Sequence, residues 1–94
     1  MLPIAFTKKV FVPAHILHKD LNGEGVILNL EREEYFGLDE VANRMFSVLS
    51  SSDRIEAAFQ TLAAEYEVDP ATLRQDLQEF IQKLVAQGMV SLVD

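Results

Sequence analysis

The run Gly25-Val-Ile-Leu-Asn-Leu-Glu-Arg-Glu-Glu-Tyr-Phe-Gly-Leu-Asp39 constrains this chain more than any other stretch. It reads as two short strands around the charged turn 31–34, with Leu38 and Asp39 opening a helix. Upstream, His15–Leu21 has strand character and is joined to the run by Asn22-Gly23. Both turn residues tolerate the positive φ that a tight primed hairpin turn requires. The expected unit is a three-stranded antiparallel meander. In its middle strand Val26, Leu28 and Leu30 alternate with Ile27, Asn29 and Glu31, so the Val26–Leu28–Leu30 face is expected to meet the core. Nothing later in the chain clearly covers the edge of the third meander strand, Glu34–Leu38.

Three helices follow. Asp39 is a suitable N-cap for the first, whose apolar positions are Val41, Ala42, Met45, Phe46, Val48 and Leu49. Ser50-Ser-Ser52 breaks it, and Asp53 with Glu56 has the spacing of a capping box for the second. That helix presents Ile55, Ala58, Phe59, Leu62, Ala63 and Tyr66. Asp69-Pro70 supplies an N-cap followed by proline at the first helical position, where its missing N–H costs nothing. The third helix packs through Leu73, Leu77, Phe80, Ile81, Leu84 and Val85 and ends at Gly88. Met89–Val93 reads as a closing strand, with Val10–Val12 as a possible partner. Residues 1–9 are expected to form a flexible N-terminal arm, and residues 10–94 a single domain. The architecture is α+β and winged-helix-like: a three-stranded antiparallel sheet followed by three helices.

Composition narrows the function. The 94 residues carry 15 acidic against 8 basic side chains, a net charge of −7. Such a field repels phosphate backbones, whose affinity for proteins rests on cationic contacts. It attracts basic segments instead. There is no cysteine, which removes disulfides, thiolate metal sites and cysteine nucleophiles. Neither a secretory signal nor a membrane span is legible, and the expected location is the cytoplasm.

No constellation points to catalysis. His15 and His18 fall on opposite sides of a strand and read as surface or turn-adjacent histidines rather than metal ligands. Glu31, Glu33 and Glu34 crowd an exposed turn that offers no cleft to perturb their ionisation. No glycine-rich phosphate cradle is present, and neither cofactor nor metal is expected. A helix-turn-helix reading would make residues 70–87 a recognition helix, but its charged residues are Arg74, Asp76, Glu79 and Lys83, which form no basic stripe. A winged-helix nucleic-acid-binding regulator is the alternative that this charge disfavours. What remains is peptide capture by strand addition, in which the open edge supplies main-chain hydrogen bonds and pockets select side chains.

The 25–39 run, continued by Val41-Ala-Asn-Arg-Met-Phe46, resembles the PqqD-like family, the recognition elements of ribosomally made, modified peptide pathways. The ending resembles it too, with Leu77-Gln-Glu-Phe-Ile-Gln-Lys-Leu84 running into Gly88-Met-Val90. The likeness is greatest to the stand-alone leader-binding proteins of lasso-peptide clusters. A chaperone for pyrroloquinoline quinone synthesis is a less close fit. Many relatives carry glycine in the 31–34 turn, where this chain has Glu33.

The resemblance implies a protein without catalytic activity. It would bind a precursor's leader peptide as an added strand on Glu34–Gly37, against the third helix. It would then deliver the leader to a cysteine-protease-like leader peptidase and to maturation enzymes, the cyclase among them. Carried onto this chain, Glu34, Tyr35, Phe36 and Gly37 offer backbone. Leu28, Leu30, Tyr35, Leu73, Leu77, Phe80 and Ile81 are candidate pocket walls, and Glu33, Glu34, Asp76 and Glu79 are candidate partners for leader lysines.

Overall fold

The computed structural model describes residues 4–94. The element order is β1 (Lys9–Phe11), β2 (Ile16–Leu21), β3 (Glu24–Asn29), β4 (Glu34–Leu38), α1 (Glu40–Ser51), α2 (Ile55–Glu65), α3 (Pro70–Ala86) and β5 (Ser91–Val93). The expected meander forms a three-stranded sheet of order β2-β3-β4. β5 pairs with β1, Val10 facing Leu92, in a separate two-stranded sheet. The closing strand therefore leaves the meander's β4 edge without a strand partner among the described residues. Of the arm expected over 1–9, residues 1–3 lie outside the described residues. From Ile4 onward the chain is packed: Phe6 is buried, and Ile4 N–H donates to Gln78 Oε1 at 3.2 Å.

The Asn22-Gly23 turn has φ of 58° and 92°, as a primed hairpin requires. Glu33 takes the left-handed conformation, φ 54°, at the position where a glycine would sit without penalty. Glu33→Gly is therefore expected to raise stability by about 0.5–1 kcal/mol, read from urea denaturation.

One expectation about β3 is reversed. Ile27 and Asn29 are buried, while Leu30 is exposed and Val26 and Leu28 are only half-buried. The core side of β3 thus reads Gly25, Ile27, Asn29, and each member has a reason to be there. Gly25 lies against the Asn43 side chain. Ile27 belongs to the hydrophobic core. Asn29 Oδ1 accepts the N–H groups of Glu31 and Arg32, both at 3.1 Å, and so shapes the 31–34 turn from within. Burying a polar residue that organises a turn outranks the simple apolar alternation. The outer face of the sheet is left apolar, with Leu17, Leu28 and Tyr35 in cross-strand register.

A second difference concerns α2. Its N-cap is Arg54, with no side-chain capping bond, so Asp53 and Glu56 make no capping box. The N-terminal segment takes over: Ile55 N–H donates to Lys8 C=O and Glu56 N–H to Phe6 C=O, both at 2.8 Å. Backbone carbonyls thereby satisfy helix-end donors that a side chain would otherwise meet. Arg74 of α3 completes this corner, stacked 4.5 Å from the Phe6 ring centroid and 4.4 Å from that of Phe59. Its guanidinium also donates to Glu56, holding that carboxyl below the usual carboxylate range.

The other helix ends follow the sequence. Asp39 Oδ1 accepts Ala42 N–H at 2.8 Å, and Asp69 Oδ2 accepts Thr72 N–H at 3.2 Å. α3 closes in a Schellman motif: Gly88, at φ 72°, donates to Val85 C=O, and Met89 donates to Leu84 C=O. The chain is thus turned so that Met89 packs back beneath the end of α3.

Candidate functional site

β4 is an edge strand, so alternate residues along Glu34–Leu38 turn their N–H and C=O groups away from β3. Beside that edge runs a groove of about 280 Å³ between β4, the start of α1 and the C-terminal half of α3. Its floor is Ile27, Leu84 and Met89, all at or below 4% exposure. Its walls are the half-buried Phe36, Leu38, Ala42 and Phe80. Lys83 and Gln87 are exposed at its rim. An unpaired strand edge next to an apolar trough provides main-chain register and side-chain anchorage together.

Of the residues singled out from sequence, Phe36, Gly37 and Phe80 line this groove. Leu73, Leu77 and Ile81 are 4%, 0% and 0% exposed and belong to the core of the domain. Leu28, Leu30 and Tyr35 lie on the outer face of the sheet, Tyr35 being 74% exposed. Glu33 and Glu34 are exposed beside the turn, and Asp76 and Glu79 are exposed on α3. The groove also uses Leu38, Ala42, Lys83, Leu84 and Met89, which sequence reasoning did not single out as site residues. Met89 had a signal: the residue after a C′ glycine packs against the third residue from the helix end, here Leu84. Ala42 had none, since its place opposite β4 depends on how α1 docks.

The groove is positioned by a polar cluster at the same end of the meander, where Gly25 pairs with Leu38 and lies against Asn43. Asn43 of α1 donates from Nδ2 to Gly23 C=O at 3.0 Å, and its Oδ1 lies 2.6 Å from His18 Nε2. With the amide nitrogen committed to Gly23, Oδ1 is the acceptor and His18 Nε2 carries the proton. The His18 ring packs against Phe46, centroids 4.8 Å apart. His18 is therefore a half-buried tie between β2 and α1 rather than the surface or turn-adjacent histidine expected. This cluster clamps the hairpin to α1, and α1 in turn fixes where β4 lies relative to α3.

A second depression, about 370 Å³, lies between the hairpin tip, α1 and the end of α2. Its lining is mostly polar and pairs with itself: Arg44 Nε donates to Glu65 at 2.9 Å, which lowers the Glu65 carboxyl and raises the Arg44 guanidinium. It presents no apolar trough. Among the described residues no cluster of three or more histidine, cysteine or carboxylate side chains is arranged to hold a metal ion. None of their helices is long and apolar enough to cross a membrane.

Comparison with known proteins agrees with the geometry. The chain is similar to TbiB1, solved in complex with the TbiA(beta) leader peptide. Identity is 31%, the TM-score is 0.81, and 86% of this chain and 94% of that one are covered. A lasso peptide synthetase B1 complexed with the leader peptide shares the fold. There the TM-score is 0.78 at 22% identity, over 88% of this chain and 98% of that one. No curated protein sequence matches significantly. Residues 24–90 match the model of coenzyme PQQ synthesis protein D, and the chain belongs to that PqqD family.

Proposed function

We propose that this protein is a non-catalytic recognition element for the leader of a ribosomally made precursor peptide, acting in lasso-peptide biosynthesis. The leader adds as a strand along β4 and anchors apolar side chains in the trough against α3. The bound leader is then delivered to a cysteine-protease-like leader peptidase and on to the cyclase, in the cytoplasm. The observation that carries this reading is the unpaired β4 edge beside an apolar groove. The 31% identity over most of both chains with TbiB1, solved with a leader peptide, supports leader binding; the lasso assignment rests on the resemblance carried by the 25–39 run.

Magnitudes are consistent with the reading. Sub-micromolar binding corresponds to about −8 kcal/mol or better. Ordering a disordered leader costs about 2–5 kcal/mol. The anchored side chains must therefore supply much of the affinity, which makes the groove as necessary as the edge. Nucleic acid is the poorer ligand. Arg74 is already occupied by Glu56 and two aromatic rings, and the wing-like 31–34 turn carries three glutamates.

The test is fluorescence polarisation with the labelled leader of the precursor encoded beside this protein, alongside gel shifts with duplex DNA in low salt. Sub-micromolar leader binding without a DNA shift is expected. A DNA shift with no leader binding would reverse the assignment.

A further inference from the structure

Gly37 is the one glycine of the four for which the fold supplies no internal reason. Gly23 and Gly88 have positive φ, and a Cβ on Gly25 would strike Asn43. Gly37 has no positive φ, and among the described residues no atom lies within 4 Å of where its Cβ would stand. β3 and β4 pair residue for residue through it, Val26 facing Gly37, so it marks no bulge. A glycine inside a regular strand weakens the strand, and its remaining common use is to let another chain approach closely.

The missing side chain opens space on the outer face of the sheet. A depression of about 350 Å³ opens there toward the Gly25–Leu38 end of the sheet, lined by Leu21, Glu24, Gly25, Val26, Gly37, Leu38 and Asp39. It adjoins the α3 groove, and Gly37, Leu38 and Asp39 contribute to both. Side chains alternate along a strand, and directly opposed residues share a face. A peptide strand on β4 therefore sends the residue opposite Gly37 to this outer face. Its two neighbours, opposite Phe36 and Leu38, point into the α3 groove.

We infer that the bound peptide is read on both faces of β4, and that the depression left by Gly37 is a second subsite for a large apolar side chain. This rests on the leader-binding reading above and adds the substrate feature that reading lacks. Leu21 and Val26 supply an apolar bed continuous with the β4 edge. The Asp39 carboxylate is already engaged by the α1 N-terminus, so it makes no separate charged site. Gly37 acts here as a specificity determinant: any side chain at 37 fills the space that the peptide residue needs.

The probe is a random peptide library displayed on its encoding mRNA and selected separately against the wild-type protein and Gly37→Val. Wild-type selection is expected to enrich a large apolar residue at one position, flanked on both sides by groove-directed residues. Gly37→Val is expected to weaken the best wild-type peptide about tenfold or more, and truncating the enriched residue to alanine should weaken wild-type binding by a similar factor. The same truncation should cost Gly37→Val little, because the space is already filled. Equal affinities for both proteins, or equal truncation costs in both, would overturn the subsite while leaving capture along β4 intact. Selected peptides that fail to slow amide exchange at residues 34–38 would overturn the β4 reading and the subsite with it. Gly37→Val should keep or raise the melting temperature, since its side chain enters open space. If both Gly37→Val and Gly37→Ala melt lower than wild type, the glycine has an internal role and the inference falls.

Discussion

Gly25→Ala is expected to lower the unfolding free energy by about 3 kcal/mol. A Cβ at this position would stand 2.0 Å from Asn43 Oδ1, 2.7 Å from its Cγ and 3.1 Å from His18 Nε2. Asn43 is 4% exposed and holds Gly23 C=O and His18 together, so it has little room to move without losing both partners. Overpacking a close-packed site costs about 1–3 kcal/mol, and stranding a buried polar group costs a further 1–3 kcal/mol or so. Urea denaturation measures the sum. The cause can be isolated with Asn43→Ala: in that background the added methyl group should cost much less, giving a coupling of about 1–2 kcal/mol. A full cost in both backgrounds would mean that backbone conformation, rather than the clash, makes glycine necessary.

Phe80→Ala is expected to weaken leader binding by about 2 kcal/mol, roughly thirtyfold, with a smaller loss of stability. Phe80 is the half-buried aromatic on the α3 side of the groove, facing Phe36 and Leu38 across the trough. Aromatic side chains in partly desolvated pockets carry disproportionate binding energy. Tyr35→Ala should also weaken binding, by only a few fold, because Tyr35 is 74% exposed on the opposite face of the sheet. Leu77→Ala makes the contrast. Leu77 is fully buried, so its truncation should cost about 2–5 kcal/mol of stability and alter leader affinity only through unfolding. Polarisation titrations paired with circular dichroism melts separate the three. A Phe80→Ala protein that folds and binds normally would remove α3 from the site.

The order of difficulty in reading this sequence has a physical basis. Asn22-Gly23, Asp39, Asp69-Pro70 and Gly88 each act through a few neighbouring backbone groups, and each is found where local chemistry puts it. The meander and the three helices followed from such signals together with hydrophobic periodicity. The errors lie where a distant segment decides. α2 is capped by the carbonyls of Phe6 and Lys8, and no spacing within residues 53–56 reveals that. β3 turns Asn29 inward because the adjacent turn needs an acceptor, and Gly25 inward because Asn43 occupies the space beside it. Alternation alone favoured the opposite face.

The candidate site divides in the same way. The open β4 edge was legible, because no later strand had the right place to cover it. The groove residues were only partly legible, since a helix face that reads as one apolar stripe is shared between core and trough. Leu73, Leu77 and Ile81 face the core, while Phe80 at the edge of that stripe reaches the trough. Which apolar residue of a helix faces a ligand depends on the docking angle, and one sequence does not encode that angle in any short pattern.

The most direct test of capture along β4 is amide hydrogen exchange on the whole chain, with and without saturating leader peptide. Strand addition makes a specific claim about backbone groups: outward-facing amides within Glu34–Leu38 gain hydrogen-bond partners and slow their exchange. The amides of β2, at the far edge of the same sheet, should change little. Protection concentrated in residues 34–38, with smaller changes along the groove-facing turns of α3, is the predicted result. Leader binding that leaves these amides exchanging as in the free protein, or that protects β2 instead, would contradict the account.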